Sequence, residues 1–270
     1  MRRTRGLVVA VGVAALALAT TTTAHAEGRG DIRVTKTVVD HGTSVVVGTS
    51  KTIKYPIVMT IKDNSGIKGV GRVSTYNHTS GEGVAEQAGS ATCVKQSATT
   101  SVCTAMMEIV PQWMAGYSTG DANTMAGTWT VNATVNANDR DYWISDGIAS
   151  YKVKRAATLV TATPAERVRT GSQLKVTGKL ARAHWEDLKY YGFTGQSVKL
   201  QFKKSGSSSY TTVKTVKSGT SGKLSATVTA ASTGSWRWFF DGTSTTAQII
   251  SAGKTVRVGR PEMSRATFTQ

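Results

Sequence analysis

The chain has 270 residues, 39% of them hydrophobic, and sets 33 Lys and Arg against 16 Asp and Glu for a formal net charge of +17. That balance suits a folded chain that meets anionic surfaces or uses surplus charge for solubility, and it disfavours binding to polycations. Two cysteines and four histidines leave little material for a soft-metal centre.

Arg2, Arg3 and Arg5 precede an apolar run from Gly6 to Ala19, and Ala24-His25-Ala26 is a small-x-small cleavage signature ahead of Glu27. Residues 1–26 therefore read as a signal peptide, and the protein is expected to be secreted or extracellular. The apolar run is shorter than the ~20 residues that span a bilayer, and no second run of that length follows, so no transmembrane segment is expected. The remainder is long enough for two domains. Its charge is uneven: residues 27–155 hold 13 basic and 11 acidic side chains, and residues 156–270 hold 17 and 5.

In the first half, residues 43–63 (TSVVVGTSKTIKYPIVMTIKD) read as two strands closed by the turn cluster DNSG at 63–66. Cys93 and Cys103 lie ten residues apart. In an oxidising compartment they predict one disulfide tying the arms of a hairpin whose tip is near Gln96 to Thr100. Residues 128–137 (TWTVNATVNA) alternate, with Trp129, Val131, Ala133 and Val135 on one face. Residues 149–156 read as the last strand of a first domain, 27–155.

Seven strand-like runs fill the second half, at 157–164, 172–181, 196–204, 209–218, 223–230, 235–242 and 253–259, followed by a tail at 261–270. Their number and spacing predict an immunoglobulin-like sandwich over 156–260. Leu174, Val176 and Leu180, then Val198, Leu200 and Phe202, then Trp236, Trp238 and Phe240 each share a face. Val213 and Val216 cannot do so in a regular strand, which predicts a bulge or an edge at 209–218. The fold class is all-β, two tandem immunoglobulin-like antiparallel sandwiches.

The pieces VTGKL, GQSVKLQFKK, YTTVKTV and SWRWFFDGTSTT resemble the C-terminal immunoglobulin-like module that recurs in secreted actinobacterial proteins, mostly uncharacterised. The first half, with VVVGTSKTIKYPIVMTIKDNSGI, the two-cysteine hairpin and AGTWTVNATVNANDRDYW, is similar to the first domain of the same two-domain proteins. The resemblance implies an exported, non-enzymatic β-sandwich architecture, and some relatives are labelled calcium-binding.

Three places could carry function. ARAHWEDLKYYGF, 181–193, predicts an aromatic plug in which Trp185 and one of Tyr190, Tyr191 or Phe193 cover an open end of the second sandwich. A catalytic role for His184 beside Glu186 and Asp187 is disfavoured, because immediate neighbours point apart and no second histidine or serine motif converges there. Ser65-Gly-Ile-Lys68, Ser145-Asp146-Gly147 and Lys204-Ser205-Gly206 match the serine penicilloyl-transfer motifs only loosely and fall in two different domains. Asp139, Asp141 and Asp146 follow the Trp129 strand in what reads as one loop, and Asp63 with Asn64 could approach from another turn. Together they offer hard oxygens to Ca2+, and no other cofactor is expected. Lys199, Lys203, Arg237 and Arg257 point outward from strands expected to share a sheet, with Phe239 among them. This basic face suits an anionic cell-wall polymer or another polyanion at the cell envelope, with no base-specific contact to nucleic acid. The leading expectation is thus a secreted, non-catalytic binding or structural protein. A calcium-binding adhesion-type module and a secreted enzyme with an unrecognised site are the alternatives.

Overall fold

The computed structural model describes residues 26–116 and 121–259. The expected signal peptide, apart from Ala26, and the expected tail lie outside them. Strands dominate, as the period-two alternation predicts: among the described residues the one α-helix is a single turn, Pro111–Ala115.

The first sandwich is built from β1 (Ala26–Arg29), β2 (Arg33–Val39), β3 (Val45–Val47), β4 (Ile53–Lys62), β5 (Ile67–Asn77), β6 (Glu86–Gln87), β7 (Thr92–Lys95), β8 (Thr100–Ile109), β9 (Gly127–Ala137) and β10 (Tyr142–Arg155). One sheet orders β2-β4-β8, with β6 and β7 both on the outer edge of β8. The other orders β1-β10-β9-β5, with β3 running parallel to the end of β10. The second sandwich repeats the plan with β11 (Ala157–Ala162), β12 (Arg167–Arg169), β13 (Gln173–His184), β14 (Lys189–Gly192), β15 (Ser197–Lys204), β16 (Thr211–Lys217), β17 (Lys223–Thr229), β18 (Gly234–Phe240), β19 (Ile249–Ile250) and β20 (Lys254–Gly259). Here β13 lies between β11 and β17 with β14 alongside, facing the order β12-β20-β18-β15-β16. Two opposed antiparallel sheets with this strand order, each with a short strand parallel to the last, are the immunoglobulin arrangement.

Each sandwich closes on its own apolar cluster. Ile57, Met59, Ile61, Met107, Trp129, Val131 and Val135 anchor the first, and Leu174, Val176, Leu180, Val198, Leu200, Trp236, Trp238 and Phe240 the second. The faces read from alternation are the buried ones. β16 is both an edge strand and irregular: its register with β15 shifts between Leu200 and Gln201, which accommodates Val213 and Val216 on unlike faces.

In the second sandwich three short strands carry no signal in the sequence: β12, β14 and β19 are two to four residues long. β10 is also longer than expected. It begins at Tyr142, so Ser145 and Asp146 belong to a strand, opposite Ala133 and Asn132, and not to a loop. A bulge between Asp146 and Ala149 explains the apparent break in alternation there.

Candidate functional site

The outer face of the β12-β20-β18-β15-β16 sheet is defined by what its neighbours bury. Val198 and Leu200 on β15, Trp236 and Trp238 on β18, and Val256 on β20 turn inward. Alternation then sends Lys199 and Lys203, Arg237, and Arg257 outward on one surface. Two further cations that the sequence did not single out join these four. β12 pairs Arg167 directly with Arg257, and Val168 packs on the second core, which leaves Arg167 and Arg169 exposed.

Aromatic rings organise these cations. The Arg237 guanidinium lies 3.7 Å from the Tyr210 ring centroid and Lys203 Nζ 5.2 Å from the same ring. Tyr210 is held from the other side, its hydroxyl donating to Ser235 Oγ at 3.0 Å. Arg237 Nε donates to Gln201 Oε1 at 2.8 Å, and Lys199 Nζ stands 5.4 Å from the Phe239 centroid. Lys199 also meets Asp241 Oδ2 at 2.8 Å, an exposed ion pair of the kind worth about 0–1 kcal/mol. Stacking fixes the direction of Arg237 and Lys203 without neutralising either.

The 181–193 stretch is a β-hairpin. His184 pairs with Lys189 and Arg182 with Tyr191, and Trp185 to Leu188 form the turn. Its destination differs from the one expected. Trp185 is fully buried, yet in the first core and not the second: its Nε1 donates to Val47 O at 3.2 Å and its backbone N–H to Asn123 Oδ1 at 3.0 Å. The hairpin reaches beyond its own sandwich, so the ring closes the neighbour's end. Phe193 does cap the second core, edge-on to Phe240 at 5.9 Å, with the Arg182 guanidinium 4.0 Å from its centroid. Tyr190 and Tyr191 stay exposed and plug nothing.

Beside Trp185, His184 Nδ1 lies 2.9 Å from Asp187 Oδ1, and Tyr191 donates its hydroxyl to Asp187 Oδ2. That hydrogen bond holds the Asp187 carboxyl below the usual range and pushes the Tyr191 phenol up. Asp187 is thus occupied by its own hairpin. Glu186, raised first by burial, shares a hydrogen bond with Asp121, whose carboxyl is lowered by it. The pair straddles the seam between the sandwiches.

The loosely matched penicilloyl-transfer residues do not assemble. Ser65 donates its hydroxyl to Asp63 Oδ1 in the β4–β5 turn, Ser145 is buried on β10, and Lys204 ends β15 in the other sandwich. Asn77 is buried and holds the following turn through its side chain, its Oδ1 accepting from the Thr79 and Ser80 N–H groups.

Asp139, Asp141 and Asp146 do not gather as one ligand set. Asp146 sits on β10 opposite Asn132, several residues up the strand from the turn. Asp139 stays in the turn, where its Oδ1 accepts from the Asp141 N–H at 3.1 Å. The carboxylates that do converge are Asp31, Asp63 and Asp141, one oxygen of each lying within 4.8 Å of the others. Asp63 was suggested by its turn, while Asp31 carries no local sign of the role. The disulfide is where the spacing placed it, Cys93 directly opposite Cys103 on β7 and β8, with Gln96 N–H bonded to Thr100 O at the tip.

No family model and no curated protein matches the chain. Among solved structures it is similar to the D00-D0 domain of intimin, at 12% identity and a TM-score of 0.27 over 82% of this chain and 99% of that one. It is also similar to the D0-D1 domain of intimin, at 14% and 0.26 over 83% and 98%. A chimeric titin Z1Z2 functionalised with a KLER peptide from decorin aligns at 14% and 0.23 over 84% and 96%. At such identities and scores, the assignment to tandem immunoglobulin-like sandwiches stands on the chain's own strand order.

Proposed function

We propose that the protein is an exported, non-catalytic binding and structural module that holds anionic polymers of the cell envelope on the outer face of its second sandwich. The observation that supports this is the alignment of Arg167, Arg169, Arg257, Arg237, Lys199 and Lys203 on one sheet face, with Asp241 the acidic partner paired to one of them. A phosphate-rich chain laid across the strands would meet cations from β12 to β15 in succession. Tyr210 and Phe239 add flat surfaces for sugar or base rings. An oxidising compartment accords with the Cys93–Cys103 bond. Among the described residues no helix is long and apolar enough to cross a membrane.

The reading is tested by retention of the mature chain on purified cell wall, with and without its anionic polymers, across a salt series. Retention should require the polymers and fall steeply with salt, since each neutralised charge releases counterions. Lys199→Glu, Lys203→Glu and Arg237→Glu together should weaken it at least tenfold, with an unchanged circular dichroism spectrum. Salt-insensitive retention, or none at low salt, would leave the basic face as a solubility device.

A further inference from the structure

We propose that Asp31, Asp63 and Asp141 form a calcium site at the end of the first sandwich opposite the seam. Three turns bring them together: the β1–β2 connection supplies Asp31, the β4–β5 turn Asp63 and the β9–β10 turn Asp141. Among the described residues no Lys, Arg or His pairs with any of the three. Three carboxylates this close repel one another unless a cation sits among them.

The independent sign is Asp63. It is 3% exposed, and its two oxygens differ sharply in their surroundings. Oδ1 accepts from Ser65 N at 2.8 Å and Ser65 Oγ at 2.6 Å, whereas Oδ2 is buried and has no hydrogen-bond partner among the described residues. A carboxylate oxygen shut away from both water and donors is a costly arrangement that a bound cation would offset. Ser65 orients the Asp63 carboxylate through Oδ1, and the disulfide-tied hairpin anchors its backbone, Asp63 N–H donating to Thr99 O at 2.9 Å. Asp141 is fixed as well, its Oδ2 accepting from Asp31 N–H at 3.0 Å. Gly30, at φ +81°, lets the chain pass beside it, since a Cβ there would fall 1.4 Å from Asp141 Oδ2.

The donor set selects the ion. It consists of oxygen alone, with no histidine or cysteine in the group, which disfavours zinc and copper. Asp31 is exposed and Asp141 half-buried, so the site opens to water on one side. Calcium tolerates such irregular, partly hydrated oxygen shells, whereas magnesium demands near-ideal octahedral geometry.

The test is titration of the metal-free mature protein with Ca2+ and, separately, Mg2+, read by calorimetry and by thermal unfolding with and without EDTA. One Ca2+ per chain should bind and raise the melting temperature, with Mg2+ at least tenfold weaker. Asp63→Asn and Asp31→Asn should each weaken Ca2+ binding at least tenfold. Asp31→Asn guards against misfolding, since its exposed side chain should leave the metal-free melting temperature unchanged. Asp146→Asn should bind as the parent does. No stoichiometric binding at millimolar Ca2+, or binding untouched by Asp31→Asn, would overturn the site. A preference for Mg2+ would overturn calcium as its ion.

Discussion

Tyr55 and Tyr151 come from opposite sheets of the first sandwich and meet hydroxyl to hydroxyl at 2.8 Å, both buried. Each phenol satisfies the other, so two large rings can enter an apolar core without an orphaned oxygen. Burial pushes the Tyr55 hydroxyl up to about 12 and that of Tyr151 well above its ordinary value. In the unfolded chain both titrate near 10, so the folded state binds more protons between about pH 10 and 12. Stability is therefore fully present below pH 10 and falls as pH rises through that window, by on the order of 2–3 kcal/mol for Tyr55. Urea unfolding at a series of pH values checks this. Tyr55→Phe should flatten the alkaline loss and cost about 1–2 kcal/mol at neutral pH, because it strands the Tyr151 hydroxyl. An unchanged alkaline slope in that variant would assign the loss to other groups. Alternation in the sequence could place Tyr151 and Tyr55 on inward faces; that their hydroxyls would touch depends on the two sheets being stacked.

At the scale of elements, β7 and β8 form the arm that supports the acidic end. Cys93 and Cys103 close a ten-residue separation across directly opposed positions. By loop-closure entropy the bond contributes about 2–3 kcal/mol. Reduction, or Cys93→Ala with Cys103→Ala, should lower the unfolding free energy of the first sandwich by that amount, as measured by denaturant titration with and without reductant. A loss well under 1 kcal/mol would mean that β7 is held by its ladder alone. This hairpin was legible because cysteine spacing and flanking alternation are local. β14 was not: Lys189–Gly192 pairs with β13 through only four residues, too few for a periodic signal. Nor was the start of β10, where the bulge after Asp146 interrupts alternation and made a strand resemble a loop.

Across the whole molecule, the two sandwiches are joined by more than a linker. Ala156 alone separates β10 from β11, and its N–H donates to Val47 O while its carbonyl accepts from Ala183 N–H, both at 2.8 Å. Arg155, whose guanidinium burial lowers to about 10, donates Nε to Ala183 O at 2.6 Å. Its backbone also bonds to Thr245 and Ala247. Trp185 completes the seam by burying a second-sandwich ring in the first core. Trp185→Ala should cost about 3–5 kcal/mol and should fall on the first sandwich, though the residue belongs to the second. Calorimetry should show the parent unfolding in one transition and the variant in two. Two transitions already in the parent would show that the seam does not couple the halves. A fixed seam would also hold the basic face and the acidic end in constant orientation.

The strand faces, the disulfide hairpin, the uneven charge and the outward direction of Lys199, Lys203, Arg237 and Arg257 were determined by sequence alone. Each depends on residues a few positions apart, and period-two geometry converts such spacing directly into a face. Only the tertiary structure decided which core receives Trp185, which cations β12 adds to the face, and that Asp31 and not Asp146 joins Asp63 and Asp141. Those outcomes depend on contacts between segments tens of residues or more apart, set by how sheets stack and where turns meet, and no local pattern encodes such distances.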